Sequence, residues 1–177
     1  MRRWTASILD EALARGTCDF VQEVAYRLPM HMIADIVGIP VEDRQWLFTL
    51  TNDFLAAGDP EAGLSREQQL AIQAEMFDYA RRLGAEKRAH PADDVWTILS
   101  TVEIETDDGG RTGLGELELD LFFLLLAVAG SETTRNAITL GLLALVDHTE
   151  QMDALRRDLG RLPAAVEEIL RWSSPVS

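Results

Sequence analysis

The chain has 177 residues, 47% of them apolar, and carries a formal net charge of −14. This is enough chain for one domain with a substantial core. A balance this acidic repels a phosphate backbone, which argues against nucleic acid as a partner. The pattern is almost wholly helical. Trp4 to Arg15 places Ile8, Leu9, Ala12 and Leu13 at helical spacing, with Gly16 as a stop. Asp19 to Leu28 is short and mixed. Pro29 can open a helix with Met32, Ile33, Ile36 and Val37 on one face and Gly38 as its stop. Val41 to Ala57 reads as a helix with Trp46, Leu47, Leu50, Phe54 and Leu55 on its apolar side. "AAGDPEAGLS" is a loop. Ser65 and Gln68 form a capping-box pattern. The helix they open carries Leu70, Met76, Phe77, Ala80 and Leu83 and ends before His90-Pro91. Asp93 or Asp94 caps a short helix through Leu99. "VEIETDDGGRT" predicts at most a small hairpin near 101–112. A long helix follows at about 115–148, about 50 Å at 1.5 Å per residue. Thr149 can cap the next helix, which ends at Gly160. Pro163 opens a last one, which ends near Trp172 before Pro175.

The polar turn inside the long helix is the feature that composition does not explain. In "LLLAVAGSETTRNAI", Gly130, Ser131, Glu132, Thr133 and Thr134 interrupt an apolar run. Glycine costs about 1 kcal/mol against alanine in a helix interior. A threonine hydroxyl can turn back to a carbonyl four residues earlier, Thr133 to Ala129 and Thr134 to Gly130, and tends to bend the helix. Glu132 is expensive to bury unpaired and lies on a different face from Thr134. Two readings fit: a helix that surfaces for one turn and meets a neighbour through small residues, or a shallow spot where a flat group approaches the backbone. Further on, Glu168 and Arg171 stand at i, i+3, which by itself is an ordinary surface ion pair. Cys18 is the one cysteine, so no internal disulfide forms. His31, His90 and His148 have no histidine or cysteine at i+3 or i+4, so no metal site is expected.

"AGSETT" in a long helix, followed about 35 residues later by "EEILRWSSPV", closely resembles the cytochrome P-450 haem-thiolate monooxygenases. The first matches the family's distal-helix motif, the second its Glu-x-x-Arg helix. "CDFVQEVAYRLPMHMIADIVGIPVEDR" is similar to the segment that bacterial members carry before and through their fifth helix. The resemblance covers essentially the entire chain and implies a mainly α fold. It would be the central-to-distal helical part of that fold, 1–177 forming a single, incomplete helical domain that begins at about the fourth helix.

The resemblance also assigns roles. Ala129, Gly130 and Thr134 would lie at the distal face of a haem. Thr133 would be the alcohol that hydrogen-bonds dioxygen or its water, and Glu132 the acid that relays protons from solvent. Glu168 and Arg171 would be structural, and Val176 would face the substrate. The parent reaction would insert oxygen into a C–H bond of an apolar small molecule such as a sterol, branched lipid or terpenoid. A ferredoxin-type donor would supply electrons.

One departure shapes the expectation. The family's iron ligand is a cysteine thiolate in a loop well after the Glu-x-x-Arg helix. The sequence stops six residues after Arg171, and Cys18 lies ahead of the distal helix without the loop's Phe and Gly pattern. The chain alone is therefore expected to be truncated and inactive, to hold haem unstably, and to self-associate through exposed apolar surface. The alternative is a non-catalytic helical interaction or scaffold protein derived from such an enzyme. With no secretory leader after Met1-Arg2-Arg3 and no run long enough to span a membrane, the expected location is cytoplasmic.

Overall fold

A computed structural model describes residues 1–57, 63–107 and 109–174. Among these, eight α-helices and one antiparallel hairpin run in the order α1 (Arg2–Arg15), α2 (Arg27–Val37), α3 (Val41–Ala57), α4 (Arg66–Ala89), α5 (Val95–Thr101), β1 (Glu103–Glu105), β2 (Arg111–Gly113), α6 (Glu116–Asp147), α7 (Thr149–Arg157) and α8 (Leu162–Ser173). The expected mainly helical architecture, the long helix and the small hairpin are all present. Two compact units can be distinguished. One contains Met30–Gly130, the other Met1–Pro29 and the chain from Ser131 onward.

The Met30–Gly130 unit is built on α3, α4, α5 and the first half of α6. Its core follows the apolar periodicity: Leu47, Met76, Ala80, Leu83, Trp96 and Phe123 are buried. The Phe123 ring stands 5.4 Å from Trp96 and 5.7 Å from Tyr79. Trp46 and Leu70, expected on apolar faces, are instead exposed. The capping box forms as its pattern predicts: Ser65 Oγ accepts from the Gln68 N–H at 3.2 Å, and Gln68 Oε1 accepts from the Ser65 N–H at 2.8 Å. Asp94 caps α5, accepting from the Thr97 N–H at 2.7 Å. It also pairs with Lys87 at 2.6 Å. Gly38 ends α2 at φ 76°, where a Cβ would collide with the Asp94 carboxylate. Two buried charged residues that the pattern does not announce are paired. Arg44 donates to the Ile39 carbonyl and to Asp35, and Asp120 accepts from Arg81 at 2.7 Å. In the hairpin, Glu103 pairs with Gly113 and Glu105 with Arg111.

In the other unit, α1 buries Ile8 and Ala12 and ends at Gly16 with φ 76°. Arg15 pairs with Glu23, and Arg27 donates to Glu11 at 2.8 Å. The mixed stretch Asp19 to Leu28 contains a π-turn, Val21–Ala25. The helix beyond it opens at Arg27, two residues before the expected Pro29. Proline is tolerated there because the first turn of a helix has no use for its N–H groups. Thr149 does not cap α7. His148 holds that place, and its carbonyl accepts from the Gln151 and Met152 N–H groups at 3.0 and 3.2 Å. Helix α7 stops at Arg157 rather than Gly160, because the Asp158 carboxylate takes the Gly160 N–H at 3.0 Å and starts a 3₁₀ turn. Pro163 lies in the first turn of α8, as expected.

Candidate functional site

Helix α6 runs unbroken through the polar turn. Ser131 is fully buried, Ala129 and Thr134 are exposed, and Gly130, Glu132 and Thr133 are intermediate. The bare side of Gly130 faces α2: a Cβ would stand 3.0 Å from Ile33 Cδ1. The small-residue reading of this glycine therefore has a concrete neighbour. Farther along α6, a Cβ on Gly141 would come within 2.7 Å of Ile169 Cγ2 on α8. Thr139 makes the kind of back-bond expected of threonines in this segment, donating to the Arg135 carbonyl at 2.8 Å.

Thr133 and Thr134 border an open trough of about 520 Å³ whose other walls include Phe20, Ala137, Ile138, Leu142, Val166 and Leu170. Apart from the two threonine hydroxyls, these side chains are apolar. Glu132 lies on another face of α6 and has its nearest cation in Arg135, with Arg135 Nη2 4.0 Å from Glu132 Oε1. The separation of Glu132 from Thr134 agrees with the 100° that each helical residue adds.

Glu168 and Arg171 pair in a fork, with Arg171 Nε 2.7 Å from Glu168 Oε2 and Nη2 2.5 Å from Oε1. Hydrogen bonding to the guanidinium holds the Glu168 carboxyl below its ordinary range and pushes Arg171 up. Both side chains are exposed, so this geometry alone carries little stability. Glu168 also borders a hollow of about 700 Å³, with His148, Arg161 and Trp172 among its walls. Cys18 is exposed and does not line the trough. Among the described residues, none that lines the trough is a cysteine, histidine or methionine. Among the described residues, no cluster of three or more His, Cys, Asp or Glu could hold a metal ion. Val176 lies outside the described residues.

Thus the structure brings Thr133 and Thr134 to one trough, sets Glu132 on a separate face, and leaves Glu168 and Arg171 as a pair on α8. Sequence reasoning missed Arg135 and Phe20. Arg135 is legible at i+3 from Glu132. Phe20 has no such signal, because it meets the trough from a segment more than 100 residues away in sequence.

No protein-family profile matches the chain. Individual proteins do. The cytochrome P-450 126 of Mycobacterium tuberculosis is 42% identical over 176 residues, which is 99% of this chain and 42% of that protein. The methyl-branched lipid omega-hydroxylase of Mycobacterium bovis is 43% identical over 159 residues, 89% of this chain and 36% of the relative. The steroid C26-monooxygenase of Rhodococcus jostii is 39% identical over 170 residues, 96% and 34%. Among solved structures, the bacillaene polyketide synthase cytochrome P-450 of Bacillus subtilis superposes with a TM-score of 0.85 at 32% identity, covering 97% of this chain and 42% of that one. A Mycobacterium marinum cytochrome P-450 solved with pseudoionone gives 0.81 at 35% identity, covering 96% and 41%. No helix among the described residues is long and apolar enough to cross a membrane. Over nearly its whole length, the chain is a homologue of the bacterial cytochromes P-450, and it spans about two fifths of the length of the relatives it matches.

Proposed function

We propose that this chain supplies the distal side of the haem site of a monooxygenase that hydroxylates an apolar small molecule of the sterol, branched-lipid or terpenoid kind, with a ferredoxin-type protein as electron donor. The observation that carries the reading is the placement of Thr133 on an apolar trough with the solvent-reaching acid Glu132 beside it in sequence. The homology to a lipid hydroxylase and a steroid monooxygenase supports the substrate class.

The residues present fit one face of a flat, apolar cofactor. The trough beside Thr133 and Thr134 is otherwise apolar. By resemblance, Ala129, Gly130 and Thr134 would hold haem, and haem would supply iron-centred redox chemistry toward dioxygen. Among the described residues, Cys18 does not line the trough. The fit is therefore to the distal face alone. Glu132 takes up protons from water through its exposed carboxylate, and the Thr133 hydroxyl accepts and passes them as donor and acceptor in turn. Glu168 and Arg171 hold the last turns of α8 together and touch no reacting atom.

Haemin titration into the chain tests this reading. A weak, saturable change in the haemin absorbance is expected. Ala129→Trp, which covers the proposed face, should abolish it, and Cys18→Ser should leave it unchanged. Loss of the signal in Cys18→Ser, with none in Ala129→Trp, would assign haem to the cysteine instead.

A further inference from the structure

We propose that the hollow between α4 and the start of α6 binds a small zwitterionic amino acid, whose carboxylate is received by Arg88 and Ser100 and whose ammonium is received by Asp120. The hollow lies within the Met30–Gly130 unit and shares no residue with the trough beside Thr133. It measures about 220 Å³, and its walls include Ala80, Arg81, Gly84 and Arg88 from α4 and Leu119 and Asp120 from α6. At about 30 Å³ per water it has room for about seven waters. Helical spacing puts Arg81, Gly84 and Arg88 on one face of α4.

Asp120 makes the first demand. Its side chain is 1% exposed. Oδ2 accepts both bonds from Arg81, from Nε at 3.1 Å and from Nη2 at 2.7 Å. Oδ1 is buried and accepts no hydrogen bond from any described residue. A carboxylate oxygen kept from water without a donor is costly. Arg81 is already committed elsewhere, with Glu116 Oε1 3.0 Å from its Nε and Asp78 Oδ1 3.8 Å from its Nη1.

The second demand stands at the bare face of Gly84. The point where a Cβ would stand is 3.5 Å from Arg88 Nη1 and 3.4 Å from Ser100 Oγ. Arg88 therefore folds back over the glycine, one helical turn toward Arg81. The guanidinium and the hydroxyl do not bond each other, and Ser100 Oγ is buried without a partner among the described residues. No described carboxylate lies within 4.0 Å of Arg88. A guanidinium and a hydroxyl thus flank a position where an acceptor is missing.

The two demands define one ligand. The charges on the walls balance, Arg81 and Arg88 against Glu116 and Asp120. A net cation or a net anion would upset that balance. A molecule with an ammonium at one end and a carboxylate at the other meets each unmet group with the opposite charge. The planar guanidinium suits a carboxylate in particular. Arg88 is exposed, so its side chain can swing aside within nanoseconds and admit the ligand.

Amide ¹H–¹⁵N spectra of the 177-residue chain, titrated in turn with glycine, β-alanine and 4-aminobutyrate, test the proposal. At least one of them should shift the amides of Ala80, Gly84 and Leu119 saturably at about millimolar concentration, as suits a ligand of about five to seven heavy atoms. Acetate and methylammonium each carry one of the two charges and should bind about tenfold more weakly. Arg88→Gln alters an exposed side chain and should weaken the amino acid about tenfold. Gly84→Ala fills the bare face at ordinary contact distances and should also weaken it, with the rest of the spectrum unchanged in both variants. No saturable shift with any of the three amino acids would overturn the proposal. So would acetate binding as tightly as the amino acid, or full binding retained in Arg88→Gln.

Discussion

Asp94 joins three elements through one carboxylate: it caps α5, pairs with Lys87 on α4, and packs against the Gly38 turn that ends α2. Its side chain is 5% exposed, and that of Lys87 12%. Asp94→Ala removes a cap and strands a mostly buried ammonium, so a loss of about 3 kcal/mol is expected in urea denaturation. Burial raises the Asp94 carboxyl, but the bonds from Lys87 and Thr97 outweigh it, so the net shift is downward. A depressed folded pKa gives stability that is full above the unfolded value of about 4 and is lost as pH falls through the folded value. Acid titrations of stability should lose that component in Asp94→Asn. Gly38→Ala should cost about 2 kcal/mol or more, because it adds a Cβ at positive φ against this carboxylate. The cap is legible in sequence, since an aspartate precedes a short apolar helix. The ion pair and the glycine contact are not, since they join residues from separate helices whose packing no local pattern encodes. The same limit hides Asp120 and Arg81, 39 residues apart, inside what reads as an ordinary charged face.

At the scale of elements, the two glycines of α6 make different demands. Gly130→Ala would press a methyl to 3.0 Å from the end of the Ile33 side chain, which can give by a few tenths of an ångström. The strain should largely cancel the gain of about 1 kcal/mol in helix propensity, leaving stability near that of the parent. Gly141→Ala would place its methyl 2.7 Å from a branch methyl of Ile169 and 3.1 Å from its Cδ1, so α6 and α8 would have to part. A loss of about 1–3 kcal/mol is expected, and the urea midpoints of the two variants would rank them. The helices themselves are well announced by periodicity and caps, and α3 agrees residue for residue with its expected bounds. The π-turn before α2 is not, and neither is the 3₁₀ turn before α8, which depends on the bond from the Gly160 N–H to the Asp158 carboxylate.

At the scale of the whole molecule, the charge of −14 and the exposed apolar residues act in opposite directions. Leu142, Leu143 and Val146 on α6 and Val166, Leu170 and Trp172 on α8 are exposed. Charge repulsion should weaken with salt while apolar attraction persists. Sedimentation velocity should show self-association that grows with salt and falls in Val166→Lys/Leu170→Lys. A monomer at all salt concentrations would remove this expectation.

The Ala129–Thr134 stretch is proposed as the distal face of a haem site. Paramagnetic broadening of amide signals on adding iron(III) haemin, with zinc protoporphyrin as the diamagnetic control, tests it directly and detects weak, exchanging contact. Broadening centred on Ala129, Gly130, Thr133 and Thr134 is expected. Broadening centred on Cys18 or spread over α7, with that turn unaffected, would contradict it.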